Sequence, residues 1–105
     1  MAELQTLDSA QLQASAAAAA RLLRALANEH RLLILCHLVE GEMSVGQLQA
    51  VIGLSQSALS QHLAVLREEG LVATRRESQT IRYRIDDPAA LRVVETLADI
   101  FCPPN

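Results

Sequence analysis

Apolar residues recur at helical spacing through most of the chain and switch to strand spacing once, after Gly70. The first helix is predicted from Ser9 to Leu26, capped by Ser9 and rich in good helix formers. Residues 1–8 ahead of it read as a flexible N-terminus, and residues 9–105 as one domain. A second helix starts after Asn28 as N-cap and ends near Gly41, with Leu32, Leu35, Cys36 and Val39 on one apolar face. Ser44 and Gln47 form a capping box for a short third helix that buries Val45, Leu48 and Ile52. Gly53-Leu54-Ser55 makes a tight turn. Ser55 caps a fourth helix that buries Leu59, Leu63 and Leu66, and Gly70 closes it.

Leu71 to Thr74 then reads as a short strand, and Glu77, Ser78 and Gln79 as a polar loop. Ile81-Arg82-Tyr83-Arg84-Ile85 alternates apolar and basic, which is the pattern of a half-buried strand. Asp87 and Pro88 open the last helix as cap and first residue. Leu91, Val94, Leu97, Ala98 and Phe101 line that helix, and Pro103-Pro104 stops it. Val93 and Ile100 widen its apolar stripe beyond what one subunit's core needs, so pairing with a second copy is expected.

Four helices, a β-hairpin and a final helix make a mainly α chain with a β-hairpin wing, the order of a winged helix-turn-helix. In such units the second helix of the turn enters the DNA major groove. The outward residues near the start of that helix are Gln56, Ser57, Ser60, Gln61 and His62, with Ser55 at its cap. Glutamine pairs with adenine edges and serine with base edges or phosphates. The helix N-terminus favours a nearby phosphate. His62 is expected either to touch phosphate or to pack against the wing. Arg75, Arg76 and Gln79 are expected between the strands, where a wing meets the backbone or minor groove, with Arg82 on the basic face of the second strand.

Charge agrees with this once its position is considered. The 105-residue chain carries a net charge of −3, which by itself argues against nucleic acid. All nine basic residues are arginine, however, and five of them (Arg67, Arg75, Arg76, Arg82, Arg84) lie between Ser55 and Arg84 against three glutamates. That segment is therefore basic and the remainder acidic, as a DNA-binding edge needs. Tyr83 and Phe101 are the only aromatic residues, so the core is aliphatic. No apolar run reaches the roughly 20 residues that span a bilayer, and no signal-peptide pattern opens the chain, so a cytoplasmic protein is expected. Cys36 and Cys102 are then not a permanent disulfide. The chain has no Cys-x-x-Cys, no glycine-rich phosphate loop and no nucleophile, base and acid set, which argues against an enzyme.

Two stretches carry a resemblance to a known family. Ala25 to Leu35 (ALANEHRLLIL) is similar to the second-helix signature of the ArsR/SmtB family. Leu54 to Leu63 (LSQSALSQHL), followed by Leu66 to Val72 (LREEGLV), is similar to its recognition helix and wing entry. The resemblance covers about residues 15 to 102. It implies a homodimer whose first and last helices pack against their counterparts, and repression of operator DNA relieved by a small inducer.

The inducer is the open point. A thiol metal site of the family uses a Cys-x-Cys pair on the second helix, where this chain has Ile34-Leu35-Cys36-His37-Leu38. Another uses Asp and His pairs on the last helix, which has no His here. His37 lies one residue beyond Cys36, about 100° around the helix, and points away from it. The pair Cys36 and Cys102, with Met43 and Ser44 after Glu40-Gly41-Glu42, instead resembles the SqrR/BigR-type persulfide-responsive branch. That resemblance implies two thiols linked by a di- or tetrasulfide when reactive sulfur species or oxidants appear. No cofactor is expected on this reading. A haem- or metal-responsive repressor, with a cysteine thiolate as axial haem ligand, is the alternative. A winged-helix protein-interaction module without DNA binding is the second.

Overall fold

The computed structural model describes residues 8–102, so the expected flexible start (but for Asp8) and the Pro103-Pro104 stop lie outside the described residues. The chain folds into five helices, α1 (Ser9–Leu26), α2 (Glu29–Leu38), α3 (Val45–Ile52), α4 (Gln56–Glu68) and α5 (Pro88–Phe101), and three strands, β1 (Met43–Ser44), β2 (Val72–Glu77) and β3 (Thr80–Ile85). The helix starts follow the capping chemistry. Asn28, Ser44, Ser55 and Asp87 each accept a backbone N–H from the first turn, and Ser44 and Gln47 complete a capping box. Helix α1 is capped one residue earlier than expected: Asp8 is the N-cap and pairs with Gln11, so Ser9 is already helical. The Asp8 carboxylate competes better for the free N–H of Gln11, at 2.7 Å, than the shorter Ser9 side chain. Helix α2 ends at Leu38, and the chain turns through Gly41 at φ +147°, a conformation that favours glycine.

Ile34 and Leu35 of α2, Leu48 of α3, Leu59, Leu63 and Leu66 of α4, and Ala90 and Val94 of α5 meet in one aliphatic core. Leu71 and Val72 seal it from the sheet side. The fourth-helix stripe is thus fully buried as its spacing requires. Cys36 is not: it is exposed, although it shares the apolar face expected from sequence. The single chain leaves that face of α2 uncovered where α5 runs out. The same geometry explains α5, where Phe101 is 76% exposed and Ile100 61% exposed. Spacing identified the apolar stripe but not how far the helix projects beyond the body. On α1, Leu12, Ala16, Ala19 and Leu23 recur along one exposed stripe.

The sheet is antiparallel in the order β1-β3-β2. The expected hairpin is therefore joined by a third strand, β1, which pairs Met43 with Tyr83 and Ser44 with Arg82. Two residues without alternation give no strand signal, so this pairing was not readable from the chain. Strand β2 begins at Val72 and runs on to Glu77, three residues past the expected end. The wing tip is accordingly a two-residue turn, Ser78-Gln79, and Glu77 belongs to the strand. Ser78 has φ +56° and Gln79 does not share the positive sign, the pattern of a type II′ connection.

Candidate nucleic-acid interface and thiol pair

Helix α4 presents three distinct sides. Leu59, Leu63 and Leu66 face the core. Gln56, Ser57, Ser60 and Gln61 face solvent as one polar surface over the first half of the helix, and the exposed Ala64 continues that side. His62, Val65 and Glu69 form a flank turned toward α1 and α2, so His62 packs beside α2 and not against the wing. Its ring lies 5.6 Å from that of His30 on α2, centroid to centroid, tilted by 38°. Burial holds its pKa below the ordinary histidine range, and the nearby Arg31 and His30 charges push the same way. The shift favours the neutral imidazole over the charged one.

Ser55 fixes the start of α4 by accepting the N–H of Ala58 at 3.2 Å. Its hydroxyl also lies 3.4 Å from that of Ser57. The free N–H groups of the first turn point out with Gln56 and Ser57, giving a partial positive charge at the most exposed end of the helix.

The wing arginines differ from their expected places. Arg75 and Arg76 are strand residues, because β2 continues through them. Arg75 and Arg82 are direct cross-strand partners, an arrangement that places like charges opposite each other. Carboxylates offset this. Glu77 reaches Arg82 at 3.1 Å and Arg75 at 3.4 Å, while Glu42, just before β1, grips Arg75 at 2.7 Å. Hydrogen bonding from Arg75 holds the Glu42 carboxyl below its usual range, and Arg82 followed by Arg75 does the same for Glu77. Arg76 is bound only to the Ser78 carbonyl, at 3.1 Å, and has no carboxylate partner among the described residues. Gln79 occupies the exposed turn.

Sequence reasoning missed two residues. Arg67 and Tyr83, with Ser60, Ala64 and Glu68, line a cavity of about 460 Å³ between α4 and the wing. Arg67 follows Ser60 by seven residues, two helical turns, so helical spacing carried a signal for it. Tyr83 alternates with its neighbours as a core residue, and nothing in the pattern marks its partial exposure.

At the opposite end of the domain, Cys36 of α2 and Cys102, the C-cap of α5, line one apolar cavity of about 210 Å³ with Leu32, Val94, Leu97, Ala98 and Phe101. Both cysteines are free thiols. Partial desolvation of the thiol against this apolar lining raises the Cys36 pKa, although the residue is exposed as a whole, and the nearby Cys102 adds to the rise. Among the described residues no group of three His, Cys, Asp or Glu side chains converges in a way that fits a metal ion. None of the described helices is long and apolar enough to cross a membrane.

A tight-turn helix pair with an exposed, capped second helix and a basic three-stranded wing defines a winged helix-turn-helix DNA-binding regulator. The chain belongs to the ArsR family: residues 28–74 match the bacterial regulatory protein, arsR family. It is 47% identical over 95 residues to the transcriptional activator HlyU of Vibrio cholerae, covering 90% of this chain and 88% of that one. The crystal structure of the transcriptional repressor BigR from Xylella fastidiosa superposes with a TM-score of 0.83 at 43% identity, covering 93% of this chain and all of that one. A homodimeric winged helix-turn-helix DNA-binding domain from Mycobacterium bovis gives a TM-score of 0.76 at 32% identity, over 89% of this chain and 86% of that one. The relatives are transcription regulators, not enzymes.

Proposed function

We propose that this protein is a homodimeric repressor that releases operator DNA when reactive sulfur species or oxidants join Cys36 to Cys102. The observation that carries the reading is the shared apolar cavity: two free thiols from the second and last helices line the same space. One thiolate attacks a sulfane sulfur of a polysulfide, forming a persulfide and a polysulfide one sulfur shorter. The second thiolate attacks the protein-bound sulfur of that persulfide and expels hydrosulfide, leaving a disulfide. Insertion of further sulfane sulfur lengthens the bridge toward a tetrasulfide.

The exposed stripes of α1 and α5 support the dimer, as does the homodimeric relative. A bridge ties the end of α5 to α2 and so constrains the face that meets the second copy. Half-sites lie about one DNA turn apart, roughly 34–36 Å, so a small change in subunit orientation lowers affinity strongly. In this reading Ser55, Gln56, Ser57, Ser60 and Gln61 meet the major groove, and Arg76 and Gln79 meet the backbone or minor groove beside the wing. Arg75 and Arg82 join them by exchanging a carboxylate for a phosphate. The repressing sign follows the BigR likeness, since HlyU carries the name of an activator.

The test is peptide mass spectrometry of the reduced protein after inorganic polysulfide, with peroxide in parallel. A Cys36–Cys102 link carrying extra sulfur only with polysulfide is the expected result. The same link without added sulfur under every oxidant makes the protein a general redox sensor. Unchanged inducer release of DNA in both Cys36→Ser and Cys102→Ser variants would refute the switch.

A further inference from the structure

The flank of α4 opposite the wing opens onto a cleft of about 440 Å³ between α1, α2 and α4, lined by Arg21, Arg24, Ala25, Arg31, Val65 and Glu69. Three guanidinium groups face this space against one carboxylate. Arg31 is fixed there by the end of α1: its Nε donates to the Ala25 carbonyl at 2.6 Å and its terminal nitrogen to the Arg24 carbonyl at 3.2 Å. Arg21 holds Glu69 at 2.7 Å, and the charge of Arg24 also reaches that carboxylate. Arg24 itself has no ion-pair partner among the described residues. Arg31 is thus held in place and Arg24 is unpaired among the described residues, so the cleft carries an excess of positive charge without a matching anion.

From this geometry we infer that the cleft is a phosphate-binding site, and that its ligand is a phosphate of the DNA strand bordering the major groove on the side away from the wing. An α-helix with its side chains is about 10–12 Å across and the groove about 12 Å wide, so the two phosphate backbones run along both flanks of an inserted helix. The wing and Arg67 border one flank. On the other, His62, Val65 and Glu69 lead directly to the three arginines. The cleft avoids the exposed α1 stripe of Leu12, Ala16, Ala19 and Leu23, because Arg21 and Arg24 fall on a different side of that helix. A second copy packed on the stripe leaves the arginines open. Glu69 acts as the resident anion, and a phosphate that pairs with Arg21 takes its place. The inference rests on the operator-binding reading.

The experiment is fluorescence anisotropy of labelled operator DNA across a salt series, with wild type, Arg24→Ala, Arg21→Ala and Glu69→Gln. Each arginine variant is expected to flatten the plot of log affinity against log salt by about 1.8, the value of one phosphate contact of about 0.9 in each of the two subunits. The loss is expected to be equal on operator and on unrelated DNA. Glu69→Gln is expected to tighten binding, whereas a merely structural Arg21–Glu69 pair gives no gain. Circular dichroism checks that every variant is folded. Unchanged slopes and affinities in folded arginine variants, with wild type binding normally, overturn the site. Titration with inorganic phosphate and with ATP separates the sources. Saturable binding lost in Arg24→Ala supports a phosphate site filled by a free ligand. If wild type binds no DNA, the operator reading fails by itself, and absence of phosphate binding then overturns the cleft as well.

Discussion

Replacing Phe101 by Ser should split the dimer while leaving each subunit folded. Phe101 is 76% exposed in the single chain and contributes almost nothing to the monomer core. Full burial of a phenylalanine side chain stabilises by about 1.5–3 kcal/mol, so covering the exposed three-quarters contributes about 1–2 kcal/mol per copy. A two-fold interface uses the residue twice, which gives about 2–4 kcal/mol per dimer. At 1.4 kcal/mol per decade, the dissociation constant of the dimer rises roughly 30- to 700-fold. Sedimentation velocity over a dilution series reads this directly, with circular dichroism to check the fold. The protein is kept reduced, because Phe101 also lines the thiol cavity. Leu23→Ser on the exposed α1 stripe, where Leu23 is 57% exposed, should weaken the dimer in the same sense. Dimers as tight as wild type in both variants would refute the assignment of these stripes to the subunit interface.

Ser55→Ala should destabilise the protein by about 1 kcal/mol, the usual cost of losing an N-cap, and Ser55→Asp should retain most of it; thermal unfolding at fixed concentration measures both. Burial, the main cause of the Cys36 shift, persists in Cys102→Ser, so its alkylation by iodoacetamide should show a pH midpoint above that of a free thiol, about 8.5. Because the folded pKa is the higher one, this stabilisation is complete below the unfolded pKa and is lost as pH rises through the folded value. A wild-type melting temperature that falls on the alkaline side, less so in Cys36→Ser, is expected. Glu42, Glu69 and Glu77 shift downward, each through an arginine hydrogen bond. Their stabilisation is present above the ordinary glutamate value, about 4.3, and is lost as pH falls through the lower folded values. Acid titration by NMR should show each carboxyl titrating below that range.

Most helices were legible because their caps are side chains with one dominant local use. Asn28, Ser44, Ser55 and Asp87 each did what their chemistry dictates, and the stripe Leu59, Leu63, Leu66 fixed the buried side of α4. The errors arose where tertiary partners decide. The β1 pairing depends on β3, nearly 40 residues away, and leaves no periodic trace. Arg75 and Arg82 looked like free wing charges, but Glu42 and Glu77 reach them only once the sheet has formed. Cys36 was placed on an apolar face, which predicts a neighbour without saying whether this chain supplies it. The polar surface of α4 was visible as residue types, whereas the arginine cleft needed α1, α2 and α4 brought together.

Ser44 occupies two structures at once. Its hydroxyl caps α3 by accepting the Gln47 N–H at 3.1 Å, and its backbone lies in β1 opposite Arg82 of the wing. The reading head and the wing are thus stitched through β1, where Met43 and Ser44 pair with β3 and Ser44 also caps α3, with no free linker at that joint. Bending the wing alone would tear a helix cap, so it is mechanically disfavoured. A signal arriving from the far end of the domain has one low-cost motion left: to tilt head and wing together, as a solid wedge, about the seam between the two copies. On the proposed thiol switch, DNA would then sense the change as altered spacing between two unchanged surfaces, and protein with Cys36 linked to Cys102 should keep its wing and recognition helix intact while losing the operator.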